Sequence, residues 1–382
     1  MKYRNFAVFI LMITLFSVSV IGCSKVSDVK VPETLSDAKN KMAEGNLDGA
    51  NSDYLQVLSA DPTNAEANFG AALLGVLGVA VDNNTRTLAA KFGAINTPAT
   101  LNELFNSISA NQASSAVMNY SAFIQTAITP EVTPSEIQSY IKATLIPALE
   151  KALDRLAVVE ANPNFKFIVT TKMSGADKDR EIDLGEIYSL DLLGSLMKAG
   201  LHELISYNWD FSTTNPLSEE SFGTLKSDGA GNMTTAEDLY IRAMNKWIAG
   251  INYIDAETDD QTDDCIPKFD DPNLKNSVLT AIGLVKSSLT DGNTTFPITS
   301  SESIVVNLKN FYSSPVSDWK VYINGAKNNF PAGYDFTLNG LFPNMQTKDD
   351  WDNLMNLINS HTKDFGVGGG IFGVGINSSL NS

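Results

Sequence analysis

Apolar side chains recur at helical spacing over two neighbouring stretches near the start of the chain, residues 37–44 and 47–60. A Gly-Asn pair at 45–46 separates them, and this pair favours a helix stop and a tight turn. An Asp-Pro pair at 61–62 ends the second stretch, because proline lacks a backbone N–H and pushes the preceding residue out of the helical region. The pattern predicts a helical hairpin, followed by a further helix that Thr63 caps.

Small and bulky positions within this hairpin follow a definite order. Ala38 and Ala50 are small residues where two antiparallel helices would approach closely, and Tyr54 begins a bulky stripe. This order, followed by Asp-Pro and then Asn-Ala-Glu-Ala, resembles the tetratricopeptide repeat family, whose repeat of roughly 34 residues also fits. The match covers one repeat and the start of a second, within residues 35–77. The resemblance implies packed helical hairpins whose concave face docks a protein or peptide.

Helical spacing continues along most of the chain beyond the hairpin. A capping signature from Thr133 to Glu136 opens one further helix, which Pro147 is expected to kink or to split in two. Periodicity predicts helices over 64–81, 101–108, 114–128, 133–160, 183–207, 236–254, 272–289 and 349–358. Branched and aromatic runs predict short strands over 166–171, 304–306, 320–323 and 334–338. The expected fold is mainly α, with tetratricopeptide-like helical hairpins packed into an irregular α-helical body and a few short C-terminal β-strands.

Composition shifts divide the chain into five parts. The predicted organisation is a signal peptide at 1–22, a lipidated tether at 23–32, a repeat-like helical region at 33–163, a second mainly helical region with minor β structure at 164–365, and a Gly-rich tail at 366–382. Asn162 and Pro163 mark the boundary between the two helical regions, because they echo the Asp-Pro ending of the first hairpin.

The N-terminus carries the features of an export signal. Lys2 and Arg4 precede an apolar run over residues 6–20, and Cys23 follows directly after a small residue. This ending resembles the lipobox of bacterial lipoproteins, which implies cleavage before Cys23 and a covalent lipid on that cysteine. An ordinary transmembrane anchor is the alternative, but the apolar run is short for a membrane span. In the sorting pattern of bacterial lipoproteins, the presence of Ser24 rather than aspartate after the cysteine implies the outer membrane.

Charge narrows the range of partners. The 382-residue chain has a net charge of −17, and removal of residues 1–22 leaves 25 basic and 44 acidic side chains, a net charge of −19. Nucleic acid and anionic lipid surfaces would repel such a chain. The predicted partners are therefore the membrane, reached through the lipid anchor, and a protein or peptide, with no nucleic acid.

Two acidic runs are candidate calcium sites, because calcium takes oxygen ligands and is available outside the cytoplasm. Neither run has the glycine and the closing glutamate of a calcium-binding loop, and the second run, from Asp177 to Asp183, has Ile182 at the glycine position. A solvated loop after a helix is the alternative for the first run. Its candidate ligands are Asp255, Glu257, Asp259, Asp260 and Asp263.

Residue types typical of catalysis are sparse. His202 and His361 are the two histidines, and His202 lacks the second histidine of a zinc protease helix. Cys265 is the second of the two cysteines, the other being Cys23. It is expected to be a partly buried thiol, and the neighbouring carboxylates are expected to raise its pKa. A GxGxxG match at 368–373 lacks the strand and helix of a nucleotide site. No catalytic residue and no cofactor besides the lipid is predicted.

Aromatic residues are concentrated near the C-terminus. They favour core packing, with a sugar-stacking or peptide groove as the alternative. The set comprises Trp319, Tyr322, Phe330, Tyr334, Phe336 and Phe342.

The predicted function is an envelope-anchored binding or scaffold lipoprotein rather than an enzyme. One alternative is a ligand-binding accessory lipoprotein of a periplasmic or outer-membrane uptake system, with an apolar pocket lined by 73–81 and 182–205. The second alternative is an enzyme of unidentified class, which needs a cleft where a histidine meets an acid.

Overall fold

The computed structural model describes most of the chain after residue 34. The described residues are 35–92, 97–104, 132–174, 178–212, 215–258, 264–266, 268–298 and 302–361, with backbone alone over 357–361. Cys23, the signal peptide, the predicted helix at 114–128 and the Gly-rich tail lie outside them. The prediction of a mainly α fold with a few short strands is confirmed.

The helices are α1 (Leu35–Ala43), α2 (Leu47–Ala60), α3 (Ala65–Gly78), α4 (Asn83–Lys91), α5 (Pro134–Tyr140), α6 (Ile146–Glu160), α7 (Thr171–Ser174), α8 (Leu184–Ser206), α9 (Gly229–Ala256), α10 (Pro272–Thr290), α11 (Leu308–Ser313), α12 (Trp319–Lys327) and α13 (Lys348–His361). The strands are β1 (Phe167–Val169), β2 (Arg180–Ile182), β3 (Thr294–Pro297) and β4 (Ser303–Val306). They form two antiparallel pairs, β1 with β2 and β3 with β4.

The first hairpin forms as its sequence predicts. Ala38 and Ala50 are fully buried between α1 and α2, and Tyr54 is fully buried with them. The side chain of Asn46 caps α2 by accepting a hydrogen bond from the Gly49 N–H at 3.1 Å. The helical pairing is thus present at the positions where small side chains permit close approach.

Helix α3 begins one residue later than a cap at Thr63 would require. Asn64 is the actual cap, since its Oδ1 accepts from the Ala67 N–H at 2.9 Å. Thr63 instead donates its hydroxyl to Asp61 at 2.8 Å. The prediction of Thr63 as cap was wrong because the aspartate before Pro62 competes for that hydroxyl.

The main helices pack in the order of the chain. Helix α1 packs on α2, α2 on α3, α3 on α6, α6 on α8, α8 on α9, and α9 on α10, with the α8–α9 pair the most extensive. The core around α1 to α3 and α6 continues past residue 163 into Phe165, Phe167 and Ile182. This first core therefore crosses the predicted boundary at residue 163, and two further hydrophobic clusters lie around α8 to α11 and around α5, α6 and the end of α8.

The predicted helix over 133–160 is interrupted rather than simply kinked. Its capping box is present, with Thr133 and Glu136 bonding reciprocally. A π-helical turn at Ile141–Leu145 then separates α5 from α6, and Pro147 lies in the first turn of α6. A proline ring clashes with the carbonyl four residues earlier, so the widened turn accommodates Pro147 and lets the chain remain helical.

An ion-pair network joins α6, α8 and α9 in the interior. Asp191 of α8 is fully buried, and its two carboxylate oxygens accept from Arg242 Nε at 2.8 Å and Nη2 at 2.5 Å. Arg242 also donates to the Leu153 carbonyl of α6 at 3.2 Å. Lys246 of α9 pairs with Glu160 at the end of α6. These contacts connect three helices through charged groups.

Two predicted strands and one helix boundary were wrong in the C-terminal half. Residues 320–323 belong to helix α12, and 334–338 form turns. Asp318 caps α12 through the Lys320 N–H at 2.8 Å, and the apolar positions after it follow helical spacing. Helix α9 begins at Gly229, before the predicted 236, and Gly229 and Met233 of this added stretch are buried.

One described stretch, Ala65–Lys91, is apolar and long enough to cross a membrane by length and composition alone. Within it, Phe69 and Leu74 of α3 are buried in the protein core. Packing of α3 between α2 and α6 accounts for this apolar character.

Candidate functional site

A group of aromatic rings lies on and beside α12. Trp319, at the start of this helix, packs into the core, with its ring centroid 6.0 Å from that of Tyr207 and 6.3 Å from that of Phe311. Tyr322, one turn later, stacks on Trp319 at 6.0 Å. Trp319 therefore fixes the start of the helix to the core, and Tyr322 extends the group of rings from Trp319 toward the protein surface.

The segment after α12 adds three more rings, of which Tyr334 contacts Tyr322. The Tyr334 ring lies 6.1 Å from Tyr322, 5.1 Å from Phe330 and 4.8 Å from Phe336. Gly325 is buried beneath Tyr334, and a Cβ atom at that position would overlap the ring. The missing side chain of Gly325 thus creates the space in which Tyr334 sits.

Hydrogen bonds fix the turn that carries these rings. Asp335 accepts from Tyr322 Oη at 2.8 Å, from the Thr337 N–H at 2.9 Å and from the Asn339 N–H at 2.7 Å. Burial opposes the charge on Asp335, but these donors prevail and lower the pKa of the carboxyl group. Trp351 of α13 donates its indole N–H to the Phe336 carbonyl at 2.6 Å. The rings are therefore held in place before any ligand arrives.

Backbone conformation in this segment is unusual. Asn329 and Phe330 have φ angles of 56° and 58°, and Leu338 and Asn339 have 48° and 57°. Positive φ is strained for side chains as large as Phe and Leu, and such strain concentrates at functional sites.

Part of this region remains uncovered within the described chain. Val321 is 63% exposed and Ile323 is 40% exposed, although both are apolar. Helix α12 packs extensively on no other helix among the described residues. We define the aromatic surface as Tyr322, Phe330, Tyr334 and Phe336 together with Val321 and Ile323. Val321 and Ile323 are two residues apart on α12 and therefore lie on different faces of the helix. Exposed apolar side chains beside a cluster of aromatic rings are typical of an interaction site.

Sequence reasoning found the rings of the aromatic surface but missed Gly325 and Ile323. Both were hidden by the wrong assignment of 320–323 as a strand. The signal that could have found them was the helical spacing of Trp319, Tyr322, Ile323 and Ala326 after the Asp318 cap. Phe342 belongs elsewhere, since it packs on Trp351 at 5.9 Å.

The first candidate calcium run is described only in part. Asp259, Asp260 and Asp263 lie outside the described residues. Asp255 forms an ion pair with Lys275 at 2.8 Å. Among the residues that the structure describes, no group of three acidic, histidine or cysteine side chains is placed to hold a metal ion. Calcium binding by this run, including Glu257, stays a prediction.

The structure brings the ends of the two acidic runs together. Glu181 of β2 forms a parallel β-bridge with Asp264. Glu186, in the first turn of α8, completes a capping box with Asp183 and also accepts from the Ile266 N–H at 3.0 Å. Burial, followed by the nearby Asp183 carboxylate, raises the pKa of Glu186 to about 7. This junction has no local sequence signal, because its members are 80 residues apart.

The raised pKa of Glu186 predicts a pH-dependent stability. The folded state holds this proton more tightly than the unfolded chain, whose ordinary value is 4.5. The resulting stabilisation is complete below pH 4.5 and is lost as the pH rises through 7, at a cost of about 3 kcal/mol. Urea unfolding of Glu186→Gln over this range should show a flatter pH profile than the parent. Glu150→Gln, at an exposed position of α6, is the control, and an unchanged profile in Glu186→Gln contradicts the prediction.

The histidines and the cysteine show no catalytic pairing in the described part of the chain. His202 Nδ1 lies 3.1 Å from Asn232 Oδ1, and burial lowers its pKa. The adjacent Glu203 accepts from Tyr312 Oη at 2.6 Å instead of approaching the imidazole. The side chain of His361 lies outside the described residues.

Cys265 is exposed, and the prediction of a partly buried side chain was wrong. Its sulfur lies 3.7 Å from the Glu181 carbonyl oxygen. Desolvation at that contact, followed by the Glu186 carboxylate, raises the pKa of the thiol. A raised pKa disfavours the thiolate that nucleophilic catalysis needs.

The apolar pocket expected between 73–81 and 182–205 is represented by a small void. Around Leu73 and Ile182 the described residues enclose about 10 Å³, whereas small-molecule sites typically occupy roughly 300–1,000 Å³.

No protein-family model, curated protein or solved structure matches this chain. Function is therefore inferred from the chemistry of the described surfaces.

Proposed function

We propose that this chain is a non-enzymatic binding protein of the cell envelope. A lipid on Cys23 tethers it to a membrane, and the aromatic surface docks a protein or peptide partner. The observation that carries the proposal is a cluster of four preorganised aromatic rings, one on α12 and three on the segment after it, beside exposed apolar side chains of that helix.

Aromatic side chains provide large contact areas at a low entropic cost, which is why they dominate protein-binding hot spots. The bonds to Asp335 and from Trp351 fix the rings in advance, so that less freedom is lost on binding. The net charge of −17 favours a partner with basic groups around its apolar contact. A peptide or protein segment with exposed apolar side chains and flanking lysine or arginine fits this surface.

A site-specific crosslink tests the proposal in intact envelopes. A photoreactive amino acid at Val321 is expected to give a discrete protein adduct, because this position is the most exposed member of the aromatic surface. The same residue at Leu55, which is 40% exposed on α2, serves as the matched control. A Cys23→Ala form, deprived of its lipid, should lose the adduct. Absence of an adduct at 321, or identical adducts from both positions, overturns the proposal.

Removal of a central ring should weaken the interaction strongly. Tyr334→Ala is expected to reduce the adduct yield at 321 by about tenfold or more, since truncating an aromatic hot spot costs about 2 kcal/mol or more. Gly325→Ala should reduce it similarly, because the new methyl group displaces the Tyr334 ring.

Stability measurements separate this effect from unfolding. The Tyr334 ring is partly exposed, unlike the fully buried Tyr54 ring, so it can move away from a methyl group at position 325. Alanine also gains up to about 1 kcal/mol over glycine in a helix, so Gly325→Ala should retain a melting temperature close to that of the parent. Unchanged crosslinking in both variants would show that the partner binds elsewhere.

A further inference from the structure

A groove between α10 and β3 lies outside the aromatic surface. Its volume of about 590 Å³ is within the size range of small-ligand sites. The groove is open to solvent. One wall is a single face of α10, with residues spaced as i, i+3, i+4, i+7, i+8 and i+11. These residues are Asn273, Asn276, Ser277, Thr280, Ala281 and Leu284. Val285, Phe296 and Pro297 complete the lining.

The described residues that line this groove include no charged side chain. Charged residues make up 19% of the chain, and the net charge is strongly negative, so an uncharged surface of this length differs from the chain average. A carboxylate or phosphate ligand would need a basic partner, and an amine would need an acidic one. The groove therefore matches the chemistry of an uncharged ligand.

Four polar side chains on the helical wall favour hydrogen-bonding ligands over purely apolar ones. The hydroxyl hydrogens of Ser277 and Thr280 are donated to the carbonyls of Asn273 and Asn276, both at 2.8 Å. The hydroxyl oxygens therefore present acceptor lone pairs to the groove. The side-chain amides of Asn273 and Asn276 have no hydrogen-bond partner within the described chain. Each amide offers two donors and one acceptor, which is the complement of a ligand hydroxyl group.

Phe296 supplies an aromatic face, the second feature besides hydrogen-bonding groups that is typical of sugar-binding sites. It lies on β3, is partly exposed, and faces the polar wall of α10 across the groove. An aromatic face packs well against the C–H face of a pyranose ring, while amides and hydroxyls bind the ring substituents. The opposite side of α10, with Ile282, packs into the core and fixes the wall.

We propose that the groove between α10 and β3 binds a neutral oligosaccharide, with one sugar ring on Phe296 and adjacent hydroxyl groups bonded to Asn273 and Asn276. This site is separate from the proposed protein-docking surface and does not depend on it.

Isothermal titration calorimetry with the full chain tests the inference. The probes are the neutral hexasaccharides of maltose, cellulose and chitin type, and a polyuronate hexasaccharide is the charged comparison. At least one neutral probe should bind with a Kd of roughly 0.1–1 mM. Binding of the uronate alone, or of no neutral probe, overturns the proposal.

Variants locate the site. Asn276→Ala should weaken binding by about five- to tenfold and Phe296→Ala by about tenfold. Gln56→Ala, at an exposed polar position of α2, should leave binding unchanged. Asn276→Ala changes an exposed helical residue and should keep the parent's melting temperature, so its result stands even if Phe296→Ala folds poorly. Equal binding by Asn276→Ala and the parent would place the sugar elsewhere and overturn the assignment.

Discussion

Replacing Asp191 with alanine is expected to lower the free energy of unfolding by about 3–5 kcal/mol. Asp191 is fully buried and accepts two hydrogen bonds from Arg242 and one from Ser195 Oγ at 2.9 Å. The Asp191 carboxylate, through these bonds, raises the pKa of Arg242. Its removal leaves the guanidinium partly buried without its principal counter-charge, so the desolvation cost is no longer offset. Urea unfolding followed by circular dichroism measures the loss.

Two further variants show whether the loss of stability in Asp191→Ala comes from the unpaired buried charge. Asp352→Ala removes the exposed Lys348–Asp352 pair, one helical turn apart at 2.5 Å, and should cost less than about 0.5 kcal/mol. The double variant Asp191→Leu with Arg242→Met replaces both charges by apolar groups and should recover most of the stability. If Asp191→Ala destabilises no more than Asp352→Ala, the buried network does not hold α8 and α9 together.

Tyr54→Ala should produce a loss of similar size, about 3–5 kcal/mol, through a different mechanism. The Tyr54 ring is fully buried in the first hairpin and lies directly over Gly70 of α3. Its hydroxyl lies 3.3 Å from Met42 Sδ of α1. Truncation opens a cavity where α1, α2 and α3 meet. The change in the urea midpoint at constant slope reports this loss.

The neighbouring residue provides the control for Tyr54. Leu55→Ala alters a side chain that is 40% exposed and should cost less than about 1 kcal/mol. Gly70→Ala should also destabilise, because its methyl group overlaps the Tyr54 ring, although alanine favours a helix. Equal effects of Tyr54→Ala and Leu55→Ala would contradict the packing described for the hairpin.

Local sequence signals predicted the parts of the fold that local physics determines. Ala38, Ala50 and Tyr54 indicated the hairpin, and the spacing from Thr133 to Glu136 indicated a capped helix. Residues 320–323 were misassigned because a short apolar run satisfies both periodicities. There the Asp318 cap and the packing of Trp319 on the core decide in favour of a helix.

Long-range pairings were beyond the reach of the sequence. Asp191 and Arg242 are 51 residues apart, and their side chains meet only once α8 and α9 have paired. The rings of the aromatic surface were identified as a group, but their exposure depends on how α12 packs. The sequence did not indicate the neutral face of α10 as a site, because this face contains no charged residue and no residue type that is typical of catalysis.

The packing of helices in chain order also governs how this molecule opens. When each helix contacts mainly its neighbours in a series, the free energy of opening varies along the series, and either end can fray without disrupting the middle. The segment carrying α12 and α13 can then exchange its amide hydrogens with solvent while α8 and α9 remain protected. A force applied at the aromatic surface would therefore unfold the outer helices first and leave the α8–α9 pair intact.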